Sequence, residues 1–510
     1  MKRIGIDVGG TNTDAALLDG RTVVASLKTP TTGDVTAGIC KALAALIEKA
    51  GPQTHEAAAV VIGTTHFVNA VVERQRLTRV TAVRICLPAS ASVQPFIDWP
   101  PDLREVVRKD VFLLPGGFEI DGREISRFDD AHMREIALRI ADSGVDAVAI
   151  SSVFSPLRAD HELRAEQILR DVCPHVSITL SKDLGRIGLL ERENVAIMNA
   201  ALTQLARTTT RAFREAIALS GLNAKLFLTQ NDGTVMSADI AERLPVLCFA
   251  SGATNSMRGA AFLSGRTDAT VVDVGGTTTD IGILKNGFPR EANTVVEIGG
   301  VRTLFRMPDV VSLPLGGGTR IHSNPLRLGP DSVAYRLLAE ARVFGGQQLT
   351  ATDIAVAEGL VEIGDCALVQ DIGRQQRDWF MAEIRTRLEE GIERMKTQPG
   401  DVPLIAVGGG SFLIPQGLRG VSEMISVPHH DVANAVGAAI AQIGGEIDRV
   451  FSELSREEAI GRASEEARAR AVESGADPST IQIVEVEDLP LAYVQGNTRR
   501  VRVRAAGDLA

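Results

Sequence analysis

At 510 residues the sequence is too long for one hydrophobic core and suits two or three domains. Lys plus Arg number 54 and Asp plus Glu 64, and the formal charge of −10 argues against a general nucleic-acid role, because binding a phosphate backbone needs a basic surface. Five dispersed cysteines with no Cys-x-x-Cys pair offer no zinc ribbon and read as mostly reduced core residues, no apolar run reaches the ~18 residues of a membrane helix, and the N-terminus enters a strand at once, so a cytoplasmic protein without a signal peptide is expected.

Apolar patterning predicts strands at Arg3–Asp7, Ala15–Leu18 and Thr22–Lys28, an antiparallel meander. Thr31–Gly51 reads as a helix, with Ile39, Leu43, Leu46 and Ile47 at helical spacing. Ala58–Ile62 is a buried strand whose Gly63-Thr64-Thr65 turn leads into a helix over Phe67–Arg74. Pro88 to Asp130, rich in proline and glycine, reads as an insertion, and Asp129-Asp130 as the cap of a helix over Ala131–Ala141. Val145–Ser151 and Ser177–Leu180 read as strands, His161–Val172 and Leu190–Ala218 as helices, the latter crossing between lobes. Leu226–Thr229 and Val246–Ala250 are expected to open a second lobe. Thr270–Asp273, Ile281–Leu284 and Thr294–Ile298 then repeat the meander around an Asn286-Gly287 turn. Gln375–Lys396 is an amphipathic helix, Leu404–Val407 a strand, and Asn434–Ile443 a late helix. Ser455 and Glu458 have capping-box spacing. Ile481–Val486 and Arg499–Arg504 form a hairpin around Gln495-Gly496-Asn497, its Arg500, Arg502 and Arg504 face expected to be a solvated edge.

One motif occurs twice. Asp7-Val8-Gly9-Gly10-Thr11-Asn12-Thr13-Asp14 returns as Asp273-Val274-Gly275-Gly276-Thr277-Thr278-Thr279-Asp280, with one change in eight. Paired glycines let a backbone bend sharply and bring its N–H groups to an anion, and threonine hydroxyls add donors. Two copies imply two similar lobes presenting phosphate hairpins to one cleft. Gly9, Gly10, Thr11, Asn12, Thr13, Gly275, Gly276 and Thr278 are therefore read as nucleotide-binding. Asp7, Asp273 and Thr277 are read as catalytic, the two aspartates holding a hydrated Mg²⁺ or, on the structural reading, capping their strands. A third run, Gly408-Gly409-Gly410-Ser411, follows a strand and would pass close to a nucleoside. Thr64, Thr65 and Asn69 are small polar groups suited to a cyclic amide, or else a plain helix cap. His429-His430-Asp431 holds three potential metal ligands, but neighbours on a strand point to opposite faces, and a helix-start cap is the simpler reading.

These motifs in this order resemble the two-lobed ATPases that include actin, sugar kinases and heat-shock chaperone ATPases. More narrowly, Gly63 to Arg74, Gln230-Asn231-Asp232-Gly233, Asp273 to Asp280, Leu315-Gly316-Gly317-Gly318 and the run from Asp477-Pro478 to Leu509 resemble the A-type subunit of the hydantoinase/5-oxoprolinase family. The resemblance implies an α/β fold of two ribonuclease-H-like lobes around a nucleotide cleft: residues 1–185 with an insertion near 88–130, residues 186–450, and a C-terminal helix-plus-hairpin appendage over 451–510. It implies an ATP-dependent hydrolase subunit that uses ATP and Mg²⁺ to phosphorylate the carbonyl of a small cyclic amide, with a B-type partner completing the reaction; self-association is left open. Where A-type subunits carry Ser-Gly-Pro-Ala-Gly-Gly, this chain has Ser251-Gly252-Ala253-Thr254-Asn255-Ser256, whose extra side chains must narrow or repolarise that loop. In place of His66 the family more often has an apolar residue. Two other functions fit the same turns: a small-molecule kinase making a stable phosphoester, and a nucleotide-gated binding or regulatory ATPase.

Overall fold

A computed structural model describes residues 1–31, 35–184, 187–292, 295–491 and 496–510. The repeated motif folds the same way twice. Lys2–Val8 pairs antiparallel with Asn12–Asp19, setting Asp7 opposite Asp14. Ala269–Val274 pairs with Thr279–Lys285, setting Asp273 opposite Asp280. Each leading strand carries a parallel neighbour on its other side, Ala57–Thr64 in the first lobe and Val402–Val407 in the second. A third antiparallel strand completes each meander, Thr22–Pro30 and Val310–Leu313. This is the ribonuclease-H-like pattern, present in duplicate.

The first sheet has nine strands and the second six, counting Val310–Leu313. Aliphatic side chains buried on both sheet faces build separate cores, Ile4, Ile6, Leu17 and Ile62 in the first and Val272, Ile281, Leu404 and Leu388 in the second. Two helices, Ser251–Ser264 and Ala433–Ile440, pack against each other between the lobes. They approach backbone to backbone: a Cβ at Gly259 would overlap the Ala433 carbonyl, and one at Gly437 the Asn255 carbonyl.

Several expectations need correction. Val246–Ala250 is a 3-10 turn, Pro245–Cys248, running into a helix. Ser251–Ser256 is accordingly the first turns of that helix and no loop. Among the described residues Val296–Ile298 pairs only with Val301–Thr303, and Val310–Leu313 takes the meander's third place; Thr294 lies outside the described residues. Leu226–Thr229 lies in Lys225–Thr229, which joins the first sheet beside Ala57–Thr64. The segment after Pro88 contributes Arg108–Pro115 to a separate four-stranded parallel sheet with Val80–Leu87, Ala147–Ser152 and Ser177–Leu180. The terminal hairpin, Gln482–Pro490 with Arg499–Gly507, continues the first sheet through Gln442–Phe451, and its Gln495 lies outside the described residues. Its arginine face is not solvated: Arg502 is 2% and Arg504 6% exposed. The Ser455–Glu458 capping box and the Asp129 cap both form as read. Among the described residues no helix is long and apolar enough to cross a membrane.

Candidate functional site

The two hairpin tips meet. Thr11 Oγ1 lies 3.5 Å from Thr277 Oγ1, and a Cβ on Gly276 would sit 2.6 Å from Thr11 Oγ1. Each tip is closed by the same bond, Gly9 N–H to Asn12 O at 3.0 Å and Gly275 N–H to Thr278 O at 2.9 Å. The carbonyls are tied back. Thr31 donates its N–H to Thr11 O (3.0 Å) and its hydroxyl to Gly9 O (2.8 Å). In the second lobe Gly317 and Gly318 donate to Gly275 O and Gly276 O at 3.0 and 2.7 Å. Among the described residues the N–H groups of Gly10, Thr11, Gly276 and Thr277 have no acceptor. The facing tips therefore present bare donors and hydroxyls, the lining an anion needs.

Four carboxylates lie behind the tips. Asp7 accepts from Asn255 Nδ2 at 3.3 Å and Asn434 Nδ2 at 3.0 Å. Asn434 Nδ2 also reaches Asp14 Oδ2 at 2.9 Å. Burial first, then Asp14, pushes the Asp7 carboxyl up to about 6, with Asp273 adding to the rise and the two amides opposing it. Burial likewise raises Asp14, against the Lys28 ammonium, and Asp273, against a Ser256 hydrogen bond. Asp280 rises to about 6 through burial, opposed by Ser312. Ser256 and Asn255 come from the interlobe helix Ser251–Ser264, and Asn434 from its partner helix, so both helices aim polar groups at the aspartates.

Lys28, which motif reading missed, is the cation of this site. Its Nζ contacts both Asp14 oxygens at 2.6 and 2.7 Å. It also lies beside the triple glycine, 3.7 Å from where a Cβ on Gly409 would sit. The missed signal was pairing register: once Asn12–Asp19 and Thr22–Pro30 are antiparallel, Lys28 falls opposite Asp14. Asn434 carried no local signal, being 427 residues from Asp7.

Gly408 and Gly410 press on the second hairpin. Gly408 has φ +89°, and a Cβ there would overlap Asp273 Oδ1, while Gly410 N–H donates to Val274 O at 2.7 Å. Ser411 Oγ bonds His430 Nδ1 at 3.1 Å, and His429 Nδ1 bonds Ser26 Oγ at 3.2 Å. Those histidines are spent on hydroxyls, and among the described residues no group of three or more His, Cys, Asp or Glu could hold a metal ion. The Asp7 and Asp273 carboxylates still suit a hydrated Mg²⁺, which takes one or two carboxylates and draws its other oxygens from water and phosphate.

The threonine turn lies one strand over from Asp7. A Cβ on Gly63 would overlap Asp7 Oδ1. Thr64 exchanges bonds with Ser251, its N–H donating to Oγ and its carbonyl accepting from it, both at 3.0 Å. Thr64 Oγ1 bonds His66 Nδ1, whose pKa burial and then Arg76 lower to about 4, leaving a neutral imidazole at pH 7. Asn69 Nδ2 reaches back to Thr65 Oγ1 at 3.4 Å. Arg74 pairs with Asp102 at 2.8 Å. In the Gln230–Gly233 turn, Asn231 Oδ1 accepts from Ala250 N–H at 2.8 Å, bracing the start of the helix that carries Asn255.

Comparison with known proteins follows this geometry. The hydantoinase/oxoprolinase N-terminal region matches residues 3–173, and the hydantoinase/oxoprolinase domain matches residues 192–367. The caprolactamase alpha subunit of Pseudomonas jessenii is 26% identical over 452 residues, covering 82% of this chain and 62% of that protein. The acetophenone carboxylase gamma subunit of Aromatoleum aromaticum is 25% identical over 408 residues, covering 71% and 53%. An uncharacterized protein of Methanocaldococcus jannaschii is 25% identical over 364 residues, covering 65% and 52%. The chain thus spans about half to three fifths of the length of the curated relatives it matches. Two solved structures share its fold: the ATP-dependent caprolactamase from Pseudomonas jessenii, with TM-score 0.79 at 19% identity over 99% of this chain and 87% of that one, and nucleotide-free acetone carboxylase, with TM-score 0.70 at 16% identity over 100% and 88%. With its two lobes, its paired hairpins and both domain matches, the chain belongs to the hydantoinase/oxoprolinase family.

Proposed function

We propose that this chain is the nucleotide-binding part of an ATP-dependent enzyme that activates a small cyclic amide, of hydantoin or 5-oxoproline type, by phosphorylating its carbonyl oxygen. The observation that carries this reading is the meeting of two mirrored hairpins, tip to tip at Thr11 and Thr277, with unpaired N–H groups on both. The Gly10, Thr11, Gly276 and Thr277 amides and the Thr277 hydroxyl bind phosphate oxygens. Lys28 leaves Asp14 in part and offsets charge on the transferred group, since phosphoryl transfer depends mainly on positioning and on neutralising charge. Asp7 and Asp273 would hold Mg²⁺ through its waters, and when bound the ion supplies further charge neutralisation on the phosphates. Thr64, Thr65 and Asn69 lie beside Asp7, where the amide would approach.

Transfer of the terminal phosphoryl group to the carbonyl oxygen releases ADP and leaves the ring carbon open to water. Water adds there, the ring C–N bond breaks as the nitrogen leaves with a proton, and a second water hydrolyses the resulting acyl phosphate to the ring-opened acid and phosphate. Two relatives are named as subunits of an enzyme, which supports a second, B-type subunit for that later step. A cytoplasmic location is part of the same reading.

The test is phosphate release by the purified chain with Mg²⁺ and ATP, with and without 5-oxoproline or hydantoin, beside Asp273→Ala. Stimulated release that the variant loses is the expected result. A lasting phosphorylated product would replace this reading with that of a kinase, and an absence of nucleotide binding would remove it.

A further inference from the structure

Between Phe288–Pro289 and Val310–Leu313, both strands of the second sheet, the chain makes an excursion onto the first lobe. Its Ile298, Val301, Phe305 and Met307 are buried in the first lobe's core. Val296–Ile298 and Val301–Thr303 form a hairpin there, and Gly299 and Gly300 turn its tip at φ +60° and +85°. The tip is pressed between two parts of the first lobe. A Cβ on Gly299 would lie 3.0 Å from Val71 Cγ1, and one on Gly300 2.9 Å from Pro100 Cγ. Val71 belongs to His66–Glu73, the two-turn helix that starts at the threonine turn. Pro100 directly precedes the helix Pro101–Val107, in the segment after Pro88.

Arg74 stands where these three segments meet. Its Nη2 donates to Gly299 O at 3.0 Å and its Nε to Asp102 Oδ2 at 2.8 Å. Its Nη1 donates to Val72 O at 2.6 Å, one of the last carbonyls of its own helix, which an α-helix leaves without internal partners. The three guanidinium nitrogens are thus spent on three separate segments. The Arg74 backbone is left-handed, with φ +56° and ψ +37°, and Gln75 N–H bonds back to Ala70 O at 3.0 Å. A helix end of this kind favours glycine, because a side chain is strained there. Arginine holds the position against that strain, and the strain is offset by what its side chain binds.

We infer that Arg74 is a positioning residue: it ties the helix His66–Glu73 to the second lobe and to the segment after Pro88, and so fixes Thr65 and Asn69 in relation to the phosphate hairpins. Eight residues at ~1.5 Å each make the helix about 12 Å long, and a rigid element that short carries a shift at Arg74 to its other end. Thr65 stands just before that end and Asn69 one turn inside it. The preceding Thr64 pairs with Val8, beside the first tip. The catalytic half of the inference rests on the cyclic-amide reading proposed above; the structural junction does not.

The test is Arg74→Gly in the intact chain, because glycine suits the left-handed backbone while it removes the bonds of the side chain. Hydrogen exchange is read first, without any ligand. Amides in 66–73 and 296–303 should exchange at least about tenfold faster than in the wild type, and those in 270–285 should not change. With Mg²⁺ and ATP, kcat/KM for the stimulating amide, 5-oxoproline or hydantoin, should fall at least about tenfold while KM for ATP stays within about twofold. A residue that merely ends the helix predicts the opposite, since glycine does that at least as well. Failure of the cyclic-amide reading shows in the wild type, whereas exchange needs no ligand and judges Arg74 in either case. The inference is overturned by unchanged exchange in either segment, by exchange that rises equally in 270–285, or by an amide kcat/KM that Arg74→Gly leaves intact.

Discussion

The two hairpins have nearly the same sequence, yet their surroundings give them different charge. Asp14 lies opposite Lys28 on the third strand of the first meander. Asp280 lies opposite Ser312 on the third strand of the second. The same position in the duplicated fold therefore carries an ammonium in one lobe and a hydroxyl in the other. The Lys28 ammonium opposes the burial that raises Asp14, whereas at Asp280, raised to about 6, only a serine bond opposes it. The backing differs too: Asp7 has two asparagine amides, and Asp273 a serine hydroxyl. A repeat in sequence reproduces the backbone turn, but the strand beside it decides the electrostatics.

The largest effect should come from removing a carboxylate behind either tip. Asp273→Ala and Asp7→Ala should each lower ATP turnover by on the order of 10²–10³, read as steady-state phosphate release. If only one variant is impaired, the lobes do not share a single phosphate site.

Making the first lobe like the second comes next. Lys28→Ser leaves Asp14 buried without its cation, and Lys28 is itself 27% exposed, so solvent screening limits the loss to about 1–2 kcal/mol of stability. Turnover should fall about 10²-fold as a positioned charge is lost. Unchanged turnover would show that Lys28 serves Asp14 alone.

The equivalent glycines separate steric from electrostatic effects. Among the described residues nothing lies within 4 Å of a Cβ on Gly10, whereas one on Gly276 would press on Thr11 at 2.6 Å. Gly276→Ala should cost about 1–2 kcal/mol in urea unfolding and Gly10→Ala under about 0.5. Equal costs would mean that the tips do not touch.

The smallest effect concerns pH. Folding raises the Asp280 pKa from 3.8 to about 6, so the folded state holds the extra proton between those values. Stability from this group is therefore full below pH 3.8 and lost as pH rises through about 6. Asp280→Asn should raise stability at pH 7.5 by about 1–2 kcal/mol, a Tm gain of a few degrees, and leave it unchanged near pH 4. A gain of the same size at both pH values would rule out the titration.

The duplicated turn and both leading hairpins were legible because glycine pairs between short apolar runs admit few alternatives. The third strand of the second meander was not. Val296–Ile298 and Val310–Leu313 are both short β-branched runs, and local pattern cannot choose between them. Ser251–Ser256 read as a loop because it stands where the family carries a glycine- and proline-containing segment; tertiary packing makes it helical, with Thr254, Asn255 and Ser256 buried. The arginine face of the last strand was placed correctly on one side by alternation, but periodicity is silent on whether that side is covered. Glu291, some 200 residues away, pairs with it. Asn434 was invisible for the same reason, and Lys28 was within reach had strand register been counted.

The most direct test of the central claim is calorimetric titration of the purified chain with Mg²⁺ and ATP. One nucleotide per chain is predicted, with binding lost in Asp7→Ala and in Asp273→Ala alike, because both lobes hold the same phosphates. Two independent sites, or binding that survives either substitution unchanged, would contradict it.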